Sequence, residues 1–268
     1  MAPVVFAHAN GYPPGAYRCL LTALESGLGA PIATHEHRPL VTDEASPQFL
    51  SWQTYASDLI ERIETDANAP VWLMGHSMGA ASGALAAARR PELFLGIIAL
   101  DPVIIPDKIW FWSLIFNRLR PNGMPIIRRA MGRPHQFGSH EEAFDFYRAK
   151  RVFSSVRDEV LMDYVLAGHV ENAAGSVSLR HSGAWEACIY RSVPRMKPSL
   201  RALKCPMHII AGASSDVLNE KNLAEVESLN ERITSQALPG GHLLPLESPE
   251  LCAEAVTRFL VEHGRGGS

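Results

Sequence analysis

Val71-Trp-Leu-Met-Gly75-His-Ser-Met-Gly79 runs straight into Ala80-Ala-Ser-Gly-Ala-Leu-Ala-Ala-Ala-Arg-Arg90. Residues 71–75 form an apolar run of strand length, and the alanine-rich stretch predicts a helix from about Met78 to Arg90, stopped by Pro91. Between them stands G-x-S-x-G, with Ser77 on the sharp turn from strand to helix. Side chains two positions either side of such a serine would collide, and glycine at 75 and 79 removes them. Ala80, Ala81 and Gly83 keep the first helical turns small, so the helix can pack close to a sheet. Ser77 Oγ is then presented at the C-terminal edge of that sheet. A random chain of this length holds on the order of 0.1 such matches, and fewer in this context. Ser77 therefore reads as a nucleophile.

The same alternation continues on both sides. Val4–His8 is a short apolar run ending in a Gly/Pro loop, 10–15, and 32–37 is a weaker second strand. Trp52, Tyr55, Ala56, Leu59, Ile60 and Ile63 fall at helical spacing, and residues 95–100 form a fully apolar strand ending in Asp101-Pro102. Further on, 207–211 and 233–238 predict strands, 222–229 a helix, and Pro249 opens a helix through about Glu262. Continuous apolar strands separated by helices mean a mostly parallel sheet covered on both faces. The fold class is α/β, doubly wound.

Residues 105–200 break the rhythm, with helical patterns, loops and no convincing apolar strand. From Pro106 to Leu200 there are 14 Lys/Arg against 9 Asp/Glu, whereas the whole chain carries −3. The organisation expected is core at 1–104, a helical lid insertion at 105–200, core again at 201–263, and a flexible tail at 264–268.

The chain has 268 residues, 47% hydrophobic and 20% charged, enough for a buried core without disulfide or metal staples. The mild net charge carries no signature of nucleic-acid binding. No stretch approaches the ~18 apolar residues of a membrane span. The start lacks the basic-then-apolar order of a signal peptide. Cys19, Cys188, Cys205 and Cys252 are scattered, as reduced thiols are, so the expected location is cytoplasmic.

Gly75-His-Ser-Met-Gly-Ala80 resembles the elbow of the α/β-hydrolase-fold serine hydrolases. The resemblance covers about 1–103 and 200–268, with the insertion at the family's lid position. That family normally begins with two further strands; here the first strand starts at residue 3, so those edge strands are expected to be missing or the N-terminus to be truncated. The resemblance implies an oxyanion hole from Met78 N–H and an amide of the loop His8-Ala-Asn-Gly-Tyr-Pro-Pro-Gly15, similar to the family's H-G-x-P loop with Ala9 for glycine. Alignment from His8 puts the second donor at Asn10, which is preferred; alignment on Gly11 puts it at Tyr12. His8 itself reads as a buried brace.

Gly240-Gly-His242 resembles the family's loop before the final helix and makes His242 the base, in the chain order Ser, Asp, His. Gly212-Ala-Ser-Ser-Asp216 resembles the acid-bearing loop, so Asp216 is the expected acid, with Asp101 as its competitor. His76 and His208 read as structural core histidines. His35 and His37 make only a weak zinc pattern, and no metal or organic cofactor is implied.

The function expected is a serine esterase acting through an acyl-enzyme on a hydrophobic small molecule. Thioesterase, C–C bond hydrolase and cofactor-free haloperoxidase run on the same triad, and a non-catalytic ligand receptor is the alternative of another class. Dehalogenase and epoxide hydrolase are disfavoured, because those relatives carry Asp where Ser77 stands. Lys108-Ile-Trp-Phe-Trp-Ser-Leu-Ile-Phe-Asn-Arg-Leu-Arg120 is basic, aromatic and amphipathic; it is expected to roof the pocket, with a membrane surface as the other reading. The partner expected is an ester or thioester, with no nucleic acid, and self-association into a homo-oligomer is left open.

Overall fold

The computed structural model describes residues 2–173 and 175–263; the tail expected at 264–268 lies outside them. Among the described residues there are nine strands: β1 (Val4–Ala7), β2 (Ala33–His35), β3 (Val71–His76), β4 (Phe94–Leu100), β5 (Gln136–Phe137), β6 (His169–Glu171), β7 (Val177–Leu179), β8 (Met207–Gly212) and β9 (Ile233–Leu238). Six of them form one sheet in the order β2-β1-β3-β4-β8-β9, and every neighbouring pair is parallel. Among the described residues no strand precedes β1.

Side chains alternate across a strand, so each of these apolar strands feeds two cores. Val5, Ala7, Leu73, Ile97 and Ile209 pack on one face with Trp52, Leu59, Ala81 and Leu85. Their neighbours Val4, Phe6, Met74, Ile98 and Ile210 pack on the other with Leu20, Leu24, Val256 and Leu260. The first face is covered by the helices Trp52–Asp66 and Met78–Arg89, the second by Arg18–Leu28 and Pro249–His263. The sheet is doubly wound, as its apolar runs require.

The segment between β4 and β8 adds no strand to this sheet. Among the described residues it holds six α-helices, one short 3-10 helix and a small antiparallel sheet in the order β5-β7-β6. That small sheet corrects the expectation of a region without strands: pieces of two or three residues carry no apolar run to detect. The segment does not stand apart, since Tyr147, Phe153, Leu161 and Tyr164 share a core with Phe6, Tyr17 and Leu244.

A second correction concerns the helix Asp107–Leu119. It was expected to turn its apolar face inward as a roof. Its single buried residue is Asn117, whose Nδ2 donates to the Arg191 carbonyl at 3.4 Å, while Trp112 is 67% and Leu119 77% exposed. The helix is mounted by its polar side.

Candidate active site

Ser77 sits between β3 and the helix Met78–Arg89 with φ 54° and ψ −113°, a left-handed conformation rare for a residue with a Cβ. The surrounding backbone imposes it. Ser77 N–H donates to the Leu100 carbonyl at 3.0 Å, and Val103 N–H donates to the Ser77 carbonyl at 3.3 Å. A Cβ at Gly75 would lie 2.5 Å from Ala80 N, and one at Gly79 would lie 2.1 Å from the Ala7 carbonyl oxygen. Those clashes are the reason for glycine at both positions.

His242 Nε2 lies 3.0 Å from Ser77 Oγ, and its Nδ1 lies 2.6 Å from Asp101 Oδ2. Asp101 is fully buried at the end of β4, itself in a left-handed conformation with φ 39°. Its carboxylate also accepts from Gly212 N–H at 2.9 Å and from the Ser215 hydroxyl at 2.6 Å. With a carboxylate on Nδ1, the imidazole carries its proton there and offers Nε2 as acceptor to the serine.

The expected pairing of His242 with Asp216 is therefore corrected: the structure puts Asp101 there. Asp216 is exposed and has no hydrogen-bond or ion-pair partner among the described residues. The cause lies in the sheet order. β4 is the direct neighbour of β3, so the residue that follows it emerges beside Ser77, whereas β8 lies one strand farther out. The loop after β8 is used to support the histidine loop instead, with Ser214 N–H donating to the Gly240 carbonyl at 2.9 Å. Ser215 contributes its hydroxyl to Asp101, and Asp216 is carried past into solvent.

The 10–15 loop turns sharply at Gly11, φ 77°, closed by Tyr12 N–H donating to the Ala9 carbonyl at 3.1 Å. The Tyr12 amide is thus occupied. Among the described residues the Asn10 amide has no partner, and Met78, at the start of its helix, has no carbonyl four residues back within it. Two backbone donors are left available beside Ser77's turn and the β1 loop.

Several residues that the sequence reading did not single out hold this loop. Asn10 Nδ2 donates to the Glu186 carbonyl at 3.2 Å, and a Cβ on Gly11 would come within 3.3 Å of Arg133 Nη2. Arg133 pairs with the Glu186 carboxylate and donates to the Tyr164 hydroxyl at 3.0 Å. Burial pushes the Glu186 carboxyl up, and Arg133 pulls it back. Arg133 and Glu186 lie in the region between β4 and β8, so this region clamps the β1 loop. No spacing in the sequence marks that pair.

His76 and Tyr17 connect the three loops. Burial drives His76 well below the usual histidine range, so its ring is neutral and carries one proton. Its Nε2 donates to the His242 carbonyl at 2.9 Å, which leaves Nδ1 to accept from the Tyr17 hydroxyl at 2.7 Å. Tyr17 in turn accepts from Ala9 N–H at 3.2 Å. His8 braces the loop as expected, its Nε2 accepting from His37 N–H at 3.1 Å.

These buried neutral histidines make the fold acid-sensitive. Burial lowers His8 to about 3 and His35 to about 4 from 6.5, and lowers His37 and His181 as well. The unfolded chain takes up protons that the folded chain refuses, so their stabilisation is complete above pH 6.5 and is lost as pH falls toward the folded values. At pH 5 the loss is about 2 kcal/mol for each of His8 and His35. Tm should fall steeply between pH 7 and pH 5, and His35→Gln should flatten that slope; a Tm constant over this range would refute the linkage.

The model of the alpha/beta hydrolase family matches residues 4–255. The 2-(acetamidomethylene)succinate hydrolase of Mesorhizobium japonicum is 23% identical over 207 residues, 77% of this chain and 69% of that protein. The monoglyceride lipase of Rattus norvegicus is 33% identical over 111 residues, 40% of this chain and only 36% of the lipase. Among solved structures, E-2-(acetamidomethylene)succinate hydrolase superposes with a TM-score of 0.78 at 21% identity, covering 97% of this chain and 91% of that one. A peroxisomal alpha-beta-hydrolase of Saccharomyces cerevisiae gives a TM-score of 0.78 at 17% identity, over 99% and 78% of the two chains.

Proposed function

The chain belongs to the alpha/beta hydrolase family, and from that premise we propose that it cleaves carboxylic esters through an acyl-enzyme on Ser77. The observation that carries this reading is the continuous line from Ser77 Oγ through the His242 ring to the buried Asp101 carboxylate. Ser77 attacks the ester carbonyl as His242 Nε2 takes its proton, and the same ring returns that proton to the leaving alcohol. Water then repeats the sequence on the acyl-enzyme. Asp101 holds the Nδ1 proton and stabilises the imidazolium. The Asn10 and Met78 amides receive the oxyanion, where a lost donor typically costs about 2.7–4 kcal/mol.

Residues 105–200 act as a lid whose Arg133 and Glu186 set the oxyanion loop. Tyr12 packs 5.0 Å from Tyr164 and 6.3 Å from Phe153, centroid to centroid, which supports an apolar wall beside that loop and a hydrophobic substrate. Hydrolysis of 2-(acetamidomethylene)succinate and of monoglycerides belongs to the relatives; in this chain the triad supports nucleophilic attack by Ser77.

Burst kinetics test the reading. Mixing with a p-nitrophenyl ester should release one equivalent of chromophore per site before the steady state, and a fluorophosphonate should label Ser77. Linear release without a burst, together with no label, would identify a receptor that has kept the fold without the chemistry. A parallel panel of acyl esters and acyl thioesters ranks kcat/KM between the two bond types.

The lid clamp has its own test. Arg133→Met alone strands a buried carboxylate, so the double change Arg133→Met with Glu186→Gln is the cleaner variant. Freed from the clamp, the Asn10 amide should wander, lowering kcat about 10-fold to 100-fold while KM moves far less. Unchanged kcat in a well-folded double variant would remove the clamp from the mechanism.

A further inference from the structure

We propose that the outward face of the helix Asp107–Leu119 docks on an anionic lipid surface. Ile109, Phe111, Trp112, Leu114, Phe116 and Leu119, six large apolar residues of one helix, are each at least 40% exposed. Ile109, Trp112, Ile115, Phe116, Leu119 and Met124 line an open groove of about 620 Å³ on this face, and no residue of the catalytic line borders it. The helix is fastened from behind instead. Trp110 Nε1 donates to the Val193 carbonyl at 3.1 Å, Asn117 to Arg191, and Asp107 pairs with Arg195 at 2.6 Å. An amphipathic helix whose polar side faces the protein leaves its apolar side for another phase.

Charge names that phase. From Lys108 to Ser139 the chain holds six Lys/Arg and no Asp or Glu. Lys108, Arg118, Arg120, Arg128 and Arg129 are exposed, and among the described residues none of them has an ion-pair partner. Two copies of such a face would repel each other, which disfavours a self-association interface. Aromatic and aliphatic side chains bordered by unpaired cations suit the boundary of headgroups and acyl chains, where apolar burial and attraction to anionic lipid act together. Thirteen helical residues reach about 20 Å, too short to cross a bilayer, so the helix would lie in the plane. No helix among the described residues is long and apolar enough to span one.

The proposal stands independently of the catalytic reading, because binding is read without turnover. The full chain is mixed with phosphatidylcholine vesicles, with and without phosphatidylserine, and sedimented at low and high salt. Binding is expected only with phosphatidylserine, reversed by salt, and accompanied by a blue shift of tryptophan emission. Trp112→Ser with Leu119→Ser should weaken it at least tenfold, and Arg118→Glu with Arg120→Glu should abolish the phosphatidylserine dependence. Both variants change exposed side chains and should melt as the parent does. No binding at low salt overturns the proposal. So does binding unaffected by either variant, or a dimer in solution that the Trp112 and Leu119 changes dissociate.

Discussion

Ser77→Ala should abolish ester turnover and leave the fold intact. Removing the nucleophile of a serine triad costs about 10⁶ in kcat in the best-studied protease case, because the hydroxyl is the only group that forms the covalent bond. What remains is water attacking a substrate held by the oxyanion donors. Stability should hardly move, since the lost hydroxyl has one side-chain partner, His242 Nε2, and alanine is no more strained than serine at φ 54°. Ser77→Gly separates the two roles of the position. It is equally inactive, but glycine tolerates this backbone, so part of the strain of about 1–3 kcal/mol stored at such a residue is relieved. Its Tm should rise above that of Ser77→Ala. Turnover persisting in both variants would end the serine mechanism.

How much of this could be read from the residues differs by element. Strands β3, β4 and β8 are near-continuous apolar runs because helices cover both faces of the sheet, and both their existence and their ends were legible. The elbow was legible for the same reason: its glycines answer clashes of backbone on backbone, which any sequence making that turn must avoid. The helix Arg18–Leu28 went unread although Leu20 and Leu24 are fully buried, for it follows a Pro/Gly loop without a capping side chain. The three short strands of the second sheet left no pattern at all.

Contacts made across the sheet edge were the least legible. Asp101 directly follows β4 and Asp216 lies four residues past the end of β8, both in loops after a strand, so composition does not separate them. Sheet order does, and sheet order is a property of the assembled molecule. The same holds for Arg133 and Glu186, 53 positions apart, whose pairing beside Gly11 exists only once the region between β4 and β8 has closed on the β1 loop. The lone helix facing outward is a related case. An amphipathic pattern gives two faces and does not say which of them meets the protein.

Asp101→Asn should lower kcat by about 10⁴, the loss measured when a protease triad acid becomes its amide. Asparagine keeps the shape of the side chain and can still accept from Gly212 N–H, so the protein should melt near the parent. What it loses is the preference for a proton on Nδ1. An amide nitrogen facing that atom favours the tautomer protonated on Nε2, which cannot accept the serine proton, and no negative charge remains to steady the imidazolium. Fluorophosphonate labelling of Ser77 should slow in parallel, because it uses the same activation. Asp216→Asn should leave both rates within about twofold, as exposed substitutions that touch no partner usually do. The Ser215 hydroxyl gives an intermediate point: Ser215→Ala removes a donor 2.6 Å from Asp101 Oδ2 while keeping the carboxylate, so its loss should fall between the two. If Asp216→Asn were the crippled variant and Asp101→Asn the active one, the line from serine to carboxylate would have to be redrawn through the β8 loop, against the side-chain distances.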